Sequence, residues 1–367
     1  MRNKIIVFSI FMLVIGMMIL VGCSKSTDSD KDDNGTPPDT TQPDTTKPDS
    51  TAMGTLQQVY SLDTDEAPSY FDIDSSLLVY ASSYRIRIYS VANPEIPQEL
   101  SVYPPDYPYV NMISDVNLAD TLLFFILDNP AKKLIVLNIA DPYSPQQIGE
   151  LEFTNTPQCI GYGNELIFVG YGGSLNGSIV DVSEPTIPVI TGTIPCAFSA
   201  CDYFNHKLYC TNINNMVYEV EVHSPISASV SQSANTGGEN LDVAITPWGH
   251  LYIARGVQTG TNIGAFIAYY SDQIGLESYS EQINGWSVKN IDYDNNFVYL
   301  LLRPAGVSSI YYELRVYFAY HLDQTTLAHQ DSIIYANCLV AENNYLYVGT
   351  RSTTTSGGNI LVFHHQY

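Results

Sequence analysis

From residue 55 onward, apolar and polar positions alternate in short runs bounded by Gly, Asn, Asp, Ser and Pro. The runs return at nearly constant intervals. A branched or aliphatic residue, mostly followed by an aromatic, leaves a polar turn at seven places: Leu78, Leu123, Ile167, Leu208, Leu251, Val298 and Leu346. These anchors stand 45, 44, 41, 43, 47 and 48 residues apart. Alternation with period two and enrichment in β-branched and aromatic residues predict strands. No window beyond the first 22 residues carries a sustained helical period. A repeat in the forties built of short strands predicts a β-propeller blade. The expectation is an all-β, seven-bladed β-propeller over residues 54–367.

Each period reads as four strands. The first precedes the polar turn (SYFDI, QCIGYG, LDVAI) and the second carries the anchor. The third is a branched or aromatic run (RIRIYSV, KLIVLNI, GSIVDV), and the fourth is short (PQELSVY, PQQIGEL, PVITGTI). The last period ends after its third strand, near Phe363, while the segment Thr55–Leu62 ahead of the first resembles a fourth strand. Pairing residues 55–62 with residues 359–363 would close the ring and remove an open sheet edge. His364 and His365, beyond that strand, are expected in solvent.

Between third and fourth strands the chain repeats a proline turn: VANPEIP, IADPYSP, DVSEPTIP and, more weakly, VHSPIS. A short polar residue before Pro sets up the turn, and Pro is tolerated there because the fourth strand is an outer edge. With Lys133–Pro145 and Gly177–Pro188 as its clearest copies, the chain resembles the LVIVD-repeat family of bacterial propeller lipoproteins over residues 85–194. The resemblance fades in the last three periods. It implies a cell-envelope propeller and carries over no catalytic residue.

The first residues change the address. Arg2 and Lys4 precede an apolar run, Ile5 to Val21, and Leu20-Val-Gly-Cys23 resembles a lipobox. This predicts a lipoprotein signal peptide over residues 1–22, with Cys23 as the lipidated residue that holds the protein to the membrane. Residues 23–53 are acidic and rich in Ser, Thr and Pro, a composition that cannot bury enough apolar surface to fold, and predict a disordered tether. The expected place is the cell envelope, lipid-anchored to the outer membrane. Acidic residues just after Cys23 also resemble a surface-export signal.

A net charge of −23 argues against nucleic acid, because phosphate binding needs a basic surface. Five cysteines follow Cys23, and none is spaced as a zinc site. Cys201 and Cys210 flank the turn Asn205-His206, which places them opposite each other and able to bridge, although free buried thiols are the commoner outcome. No nucleophile elbow, metalloprotease helix or phosphate loop is present, and no cofactor is implied. The expectation is a non-enzymatic binding or scaffolding module. The alternative is a glycan-processing lyase or hydrolase on the same scaffold.

Two candidate ligand sites fall on the face that carries the long loops between second and third strands. Arg255, Arg303 and Arg351 open three of those loops, four or five residues after their anchors. Together they would form a basic arc suited to an acidic glycan or peptide, unless each pairs with a carboxylate nearby. Tyr103, Tyr107 and Tyr109 in the segment YPPDYPY, with Trp286 at the corresponding junction of the sixth period, offer rigid aromatic contact surface. Asp72, Asp202 and Asp292 each lie six residues before an anchor on the predicted innermost strand. They would face channel water or ring a cation.

Overall fold

The computed structural model describes residues 55–104, 112–128, 130–258, 260–274, 279–306, 309–319, 325–353 and 355–366. All of them belong to one compact unit, Asp49–Tyr367. The expectations for the signal peptide, Cys23, the tether, Tyr107 and Tyr109 lie outside the described residues.

Seven four-stranded antiparallel sheets form the ring. Blade 1 follows the leading strand β1 (Thr55–Thr64) and holds β2 (Tyr70–Asp74), β3 (Leu77–Ala81), β4 (Ile86–Ser90) and β5 (Gln98–Tyr103). Blade 2 holds β6 (Ile113–Ala119), β7 (Leu122–Leu127), β8 (Lys133–Asn138) and β9 (Gln146–Glu152). Blade 3 holds β10 (Cys159–Gly163), β11 (Leu166–Gly170), β12 (Gly177–Asp181) and β13 (Val189–Ile194). Blade 4 holds β14 (Ala200–Phe204), β15 (Lys207–Thr211), β16 (Met216–Ser224) and β17 (Ser227–Asn235). Blade 5 holds β18 (Asn240–Ile245), β19 (His250–Arg255), β20 (Ile263–Tyr270) and β21 (Tyr279–Asn284). Blade 6 holds β22 (Trp286–Asp294), β23 (Phe297–Pro304), β24 (Tyr311–Phe318) and β25 (Thr326–Ile334). Blade 7 holds β26 (Ala336–Glu342), β27 (Tyr345–Arg351) and β28 (Gly358–Gln366), and β1 completes it as the outer strand.

The closure pairs Thr55 with Gln366 and Thr64 with Gly358, with a bulge between Gln58 and Tyr60. It therefore runs beyond Phe363 and takes in both terminal histidines, which corrects their expected place in solvent. His365 is buried, its ring 3.8 Å from that of Phe297, and His364 stacks on Tyr345 at 4.4 Å. The partners that hold them lie on other strands, so a local reading of the terminus could not find them.

The apolar residues collect into seven clusters, each drawn from two neighbouring blades. In β19, for example, Leu251 and Ile253 face blade 4, because alternate side chains of a strand point to opposite faces. A blade alone would leave both faces wet, so stacking around the ring is what stabilises it. Full burial of one such Leu or Phe contributes about 1.5–3 kcal/mol.

Asparagine-rich hairpins join first and second strands. Asn205 and His206 both have positive φ, 51° and 64°, the geometry that matches the twist of a two-residue hairpin. These hairpins mark the bottom face. At that end the proline turns dock on the preceding blade: Ser101 Oγ donates to Pro142 O at 2.6 Å and Thr191 Oγ1 to Pro225 O at 2.5 Å. Gly149 has no room for a side chain beside Pro185 O.

Candidate functional site

The innermost strands β2, β6, β10, β14, β18, β22 and β26 touch one another in succession around the channel. A cavity of about 970 Å³ runs into the channel, with Ser83, Gln158, Ser199, Arg351 and Ser356 at its top mouth. Its wall carries five aspartates that share one geometry. Asp72 accepts the N–H of Ile73 at 2.9 Å and, with its other oxygen, that of Leu118 on blade 2 at 2.5 Å. Asp115 accepts Val116 and, from blade 3, Ile160, both at 2.9 Å. Asp202 accepts Tyr203 at 2.7 Å and Ile245 of blade 5 at 2.9 Å. Asp242 accepts Val243 at 2.9 Å and Ile291 of blade 6 at 3.1 Å. Asp292 accepts Tyr293 at 2.8 Å and Ala341 of blade 7 at 2.7 Å.

Each carboxylate thus clasps its own strand to the next. Inner strands of neighbouring blades share no ladder, and the aspartates satisfy backbone donors that would otherwise lack partners. Burial pushes these carboxyls up, against the pull of the N–H bonds, to about 7 for Asp72 and Asp115 and about 6 for Asp202 and Asp242. Asp292 is also raised, again mainly by burial. Among the described residues no three acidic, thiol or imidazole side chains gather as a metal site.

Asp115 and Asp242 escaped the sequence reading because they stand eight and nine residues before their anchors rather than six. They pair with Ile126 and Ala254, three residues past their anchors, whereas Asp72, Asp202 and Asp292 pair with the residue directly after theirs, and a bulge precedes each of the two displaced aspartates. Lys289 also escaped it. It is the lysine of the inner strands, its Nζ donating to Asn337 O at 2.5 Å and lying 5.8 Å from the Tyr312 ring centre. Burial lowers its pKa.

The three arginines separate into two kinds. Arg255 follows its anchor by four residues and so continues the row of Leu251 and Ile253 toward blade 4. It is buried, and its Nη1 donates to Thr236 O at 2.7 Å. Arg303 and Arg351 follow theirs by five, and one residue in a strand turns the side chain to the other face. Both are exposed, and no described carboxylate lies within ion-pair distance of either. Arg351 lines the cavity mouth, and Arg303 is near enough to Lys289 to oppose its charge.

The aromatic candidates are less gathered. The Tyr103 hydroxyl donates to Gln147 Oε1 at 3.2 Å, bridging blade 1 to blade 2, and Trp286 packs on the core between blades 5 and 6. Cys201 and Cys210 are cross-strand partners, as the turn predicted, and both are free thiols. The neighbouring Cys159 thiol, with burial, pushes the Cys201 thiol up, and burial, with the neighbouring Cys196 thiol, does the same to Cys210.

No family model matches the chain, and no curated protein matches it in sequence. Solved structures share the fold. A chain of the mitotic checkpoint complex crystal structure is 11% identical with a TM-score of 0.67, over 95% of this chain and 100% of that one. The computationally designed Ika8 protein is 10% identical with a TM-score of 0.57, over 84% of this chain and 99% of that one. BamB from Moraxella catarrhalis is 12% identical with a TM-score of 0.55, over 85% of this chain and all of that one. At such identities the likeness extends to the propeller architecture alone.

Proposed function

We propose that this propeller is a lipid-anchored binding module of the cell envelope that takes an acidic glycan or peptide at the top of its channel. The observation that carries this reading is a set of cationic side chains on blades 6 and 7, none within ion-pair distance of a described carboxylate: Arg351 and Lys289 line a cavity of about 970 Å³, and Arg303 lies near Lys289. The chain has 38 Asp and Glu against 15 Lys and Arg, yet no described carboxylate pairs with these two arginines. Arginine suits the planar, bidentate recognition of carboxylate and sulfate groups. The resemblance of the proline-turn repeats to the LVIVD family and of Leu20–Cys23 to a lipobox supports the envelope address. Arg255 takes no part, since its guanidinium is already held inside the fold.

Binding of the full-length protein to an array of acidic glycans and acidic peptides tests the proposal. The double variant Arg303→Ala/Arg351→Ala should lose at least about tenfold in affinity, the worth of one charged hydrogen bond. Binding should weaken as salt is raised. Undiminished binding by the double variant overturns the site. Cys23→Ser should move the protein from the membrane fraction to the soluble one, and continued membrane retention refutes lipid anchoring.

A second reading, a glycan hydrolase or lyase, draws on the five carboxyls raised toward neutrality in the same cavity. Their geometry favours a structural task instead, because both oxygens of each are occupied by backbone N–H groups. Turnover of an acidic polysaccharide that Asp72→Asn abolishes would establish the hydrolytic reading in place of the binding one.

A further inference from the structure

The aspartate clasps join blades 1 to 2, 2 to 3, 4 to 5, 5 to 6 and 6 to 7. Two junctions lack one. Between blades 7 and 1 the ring is closed by β1, by Asn337 Nδ2 donating to Pro68 O at 3.0 Å, and by Ser75 N donating to Glu342 at 3.3 Å. Between blades 3 and 4 the inner wall is different in kind. Blade 3 has Gly161 six residues before its anchor, where blades 1, 4 and 6 have Asp, and Cys159 eight before it, where blade 2 has Asp115. Opposite stands Cys201 on β14, its sulfur filling the space beside Gly161.

We infer that Cys159 and Cys201 form a reversible disulfide that staples blade 3 to blade 4 across the channel wall. Three observations carry this. Cys159 and Cys201 stand on adjacent, packed inner strands, with Cys201 Sγ over Gly161, two residues from Cys159, and the two thiols close enough to perturb each other. Both line the channel cavity, which gives a small oxidant a path, and Cys201 is only partly buried. The pair occupies a junction where no carboxylate holds the inner strands together. Cys210, although it is the cross-strand partner of Cys201, has its thiol against Cys196 in the closed core of the same junction.

The chemistry is thiol–disulfide exchange with an incoming disulfide. The Sγ–Sγ bond forms, the S–S bond of the reagent breaks, and the reagent leaves as two thiols that carry the two protons and two electrons. The bond would close a loop from blade 3 to blade 4 and stabilise mainly by restricting the unfolded chain. Contact with Cys159 and burial hold the Cys201 thiol well above its usual range, so exchange should be slow at neutral pH and quicken as pH rises.

The test is incubation of the reduced full-length protein with cystamine at pH 8.5, followed by acid quench, alkylation and non-reducing peptide mapping. A peptide pair joining Cys159 to Cys201, lighter by the mass of two hydrogens, is expected. The melting temperature should rise by several degrees and fall back on treatment with dithiothreitol. Cys201→Ala should abolish the rise, and Cys196→Ala should leave it intact. A Cys201–Cys210 or Cys196–Cys210 linkage, or free thiols throughout after oxidation, overturns the inference. The mapping uses the unsubstituted chain, so a variant that fails to fold does not obscure it.

Discussion

At the outer rim, blade 7 is completed by β1, which lies against β28 from Thr55 to Thr64 through a main-chain ladder interrupted by one bulge. At the channel wall the same blade is held to blade 6 by single side chains, Asp292 reaching the N–H of Ala341 and Lys289 reaching Asn337 O. The rim spreads its hold over many backbone bonds that nearly any strand sequence could make. The wall concentrates it in single carboxylates, each placed by strand register and each carrying the cost of burying a charge. The ring is therefore expected to be tolerant to substitution outside and sensitive to it, and to pH, inside.

Removing residues 55–64 should produce the largest effect, because it takes away the ladder and bares the edge of β28. Loss of the cooperative melting transition, or a fall in melting temperature of more than about 10 °C, is expected, since each 1 kcal/mol is worth about 2–4 °C in a domain of this class. A shift of only a degree would mean that the inner wall alone closes the ring.

Asp72→Ala should cost about 1–3 kcal/mol at pH 5, from the buried N–H groups of Ile73 and Leu118 left without an acceptor. The sign of its pH dependence follows from linkage. Asp72 has a pKa of 3.8 when unperturbed and about 7 in the fold, so between those values the native state holds a proton that the unfolded chain has released. Its contribution is complete below about pH 4 and is lost as pH rises through 7. Denaturant titrations from pH 5 to 8 should show stability falling for the unsubstituted protein and falling less for Asp72→Ala. A flat profile, or equal slopes, would separate the clasps from the pH response.

The smallest effect is expected at the top rim. Arg255→Ala should destabilise by about 1–3 kcal/mol through the loss of its bond to Thr236 O and of its packing on Gly238. Arg303→Ala should change stability by less than about 0.5 kcal/mol, as an exposed side chain usually does. Thermal unfolding of the two variants side by side checks the difference, and equal losses would show that exposure does not separate them.

The repeat of seven anchors by itself determined the blade count, the four-strand plan and the closing role of residues 55–62. Those features depend on period-two alternation and on the avoidance of an open edge, both of which are local or arithmetical in the chain. The proline turns were equally legible as turns. That their carbonyls dock on the preceding blade was not, since Ser101 and Pro142 are 41 residues apart. Tertiary structure decided three further matters. It turned Arg255 inward and Arg303 outward, because a one-residue offset in a strand reverses the face. It recruited Asp115 and Asp242 to the clasps from a position two residues farther along the inner strand, because the N–H each reaches belongs to the next blade. It set Cys201 against Cys159 as well as opposite Cys210, because which thiols meet depends on how blades stack, and stacking joins residues a full repeat apart.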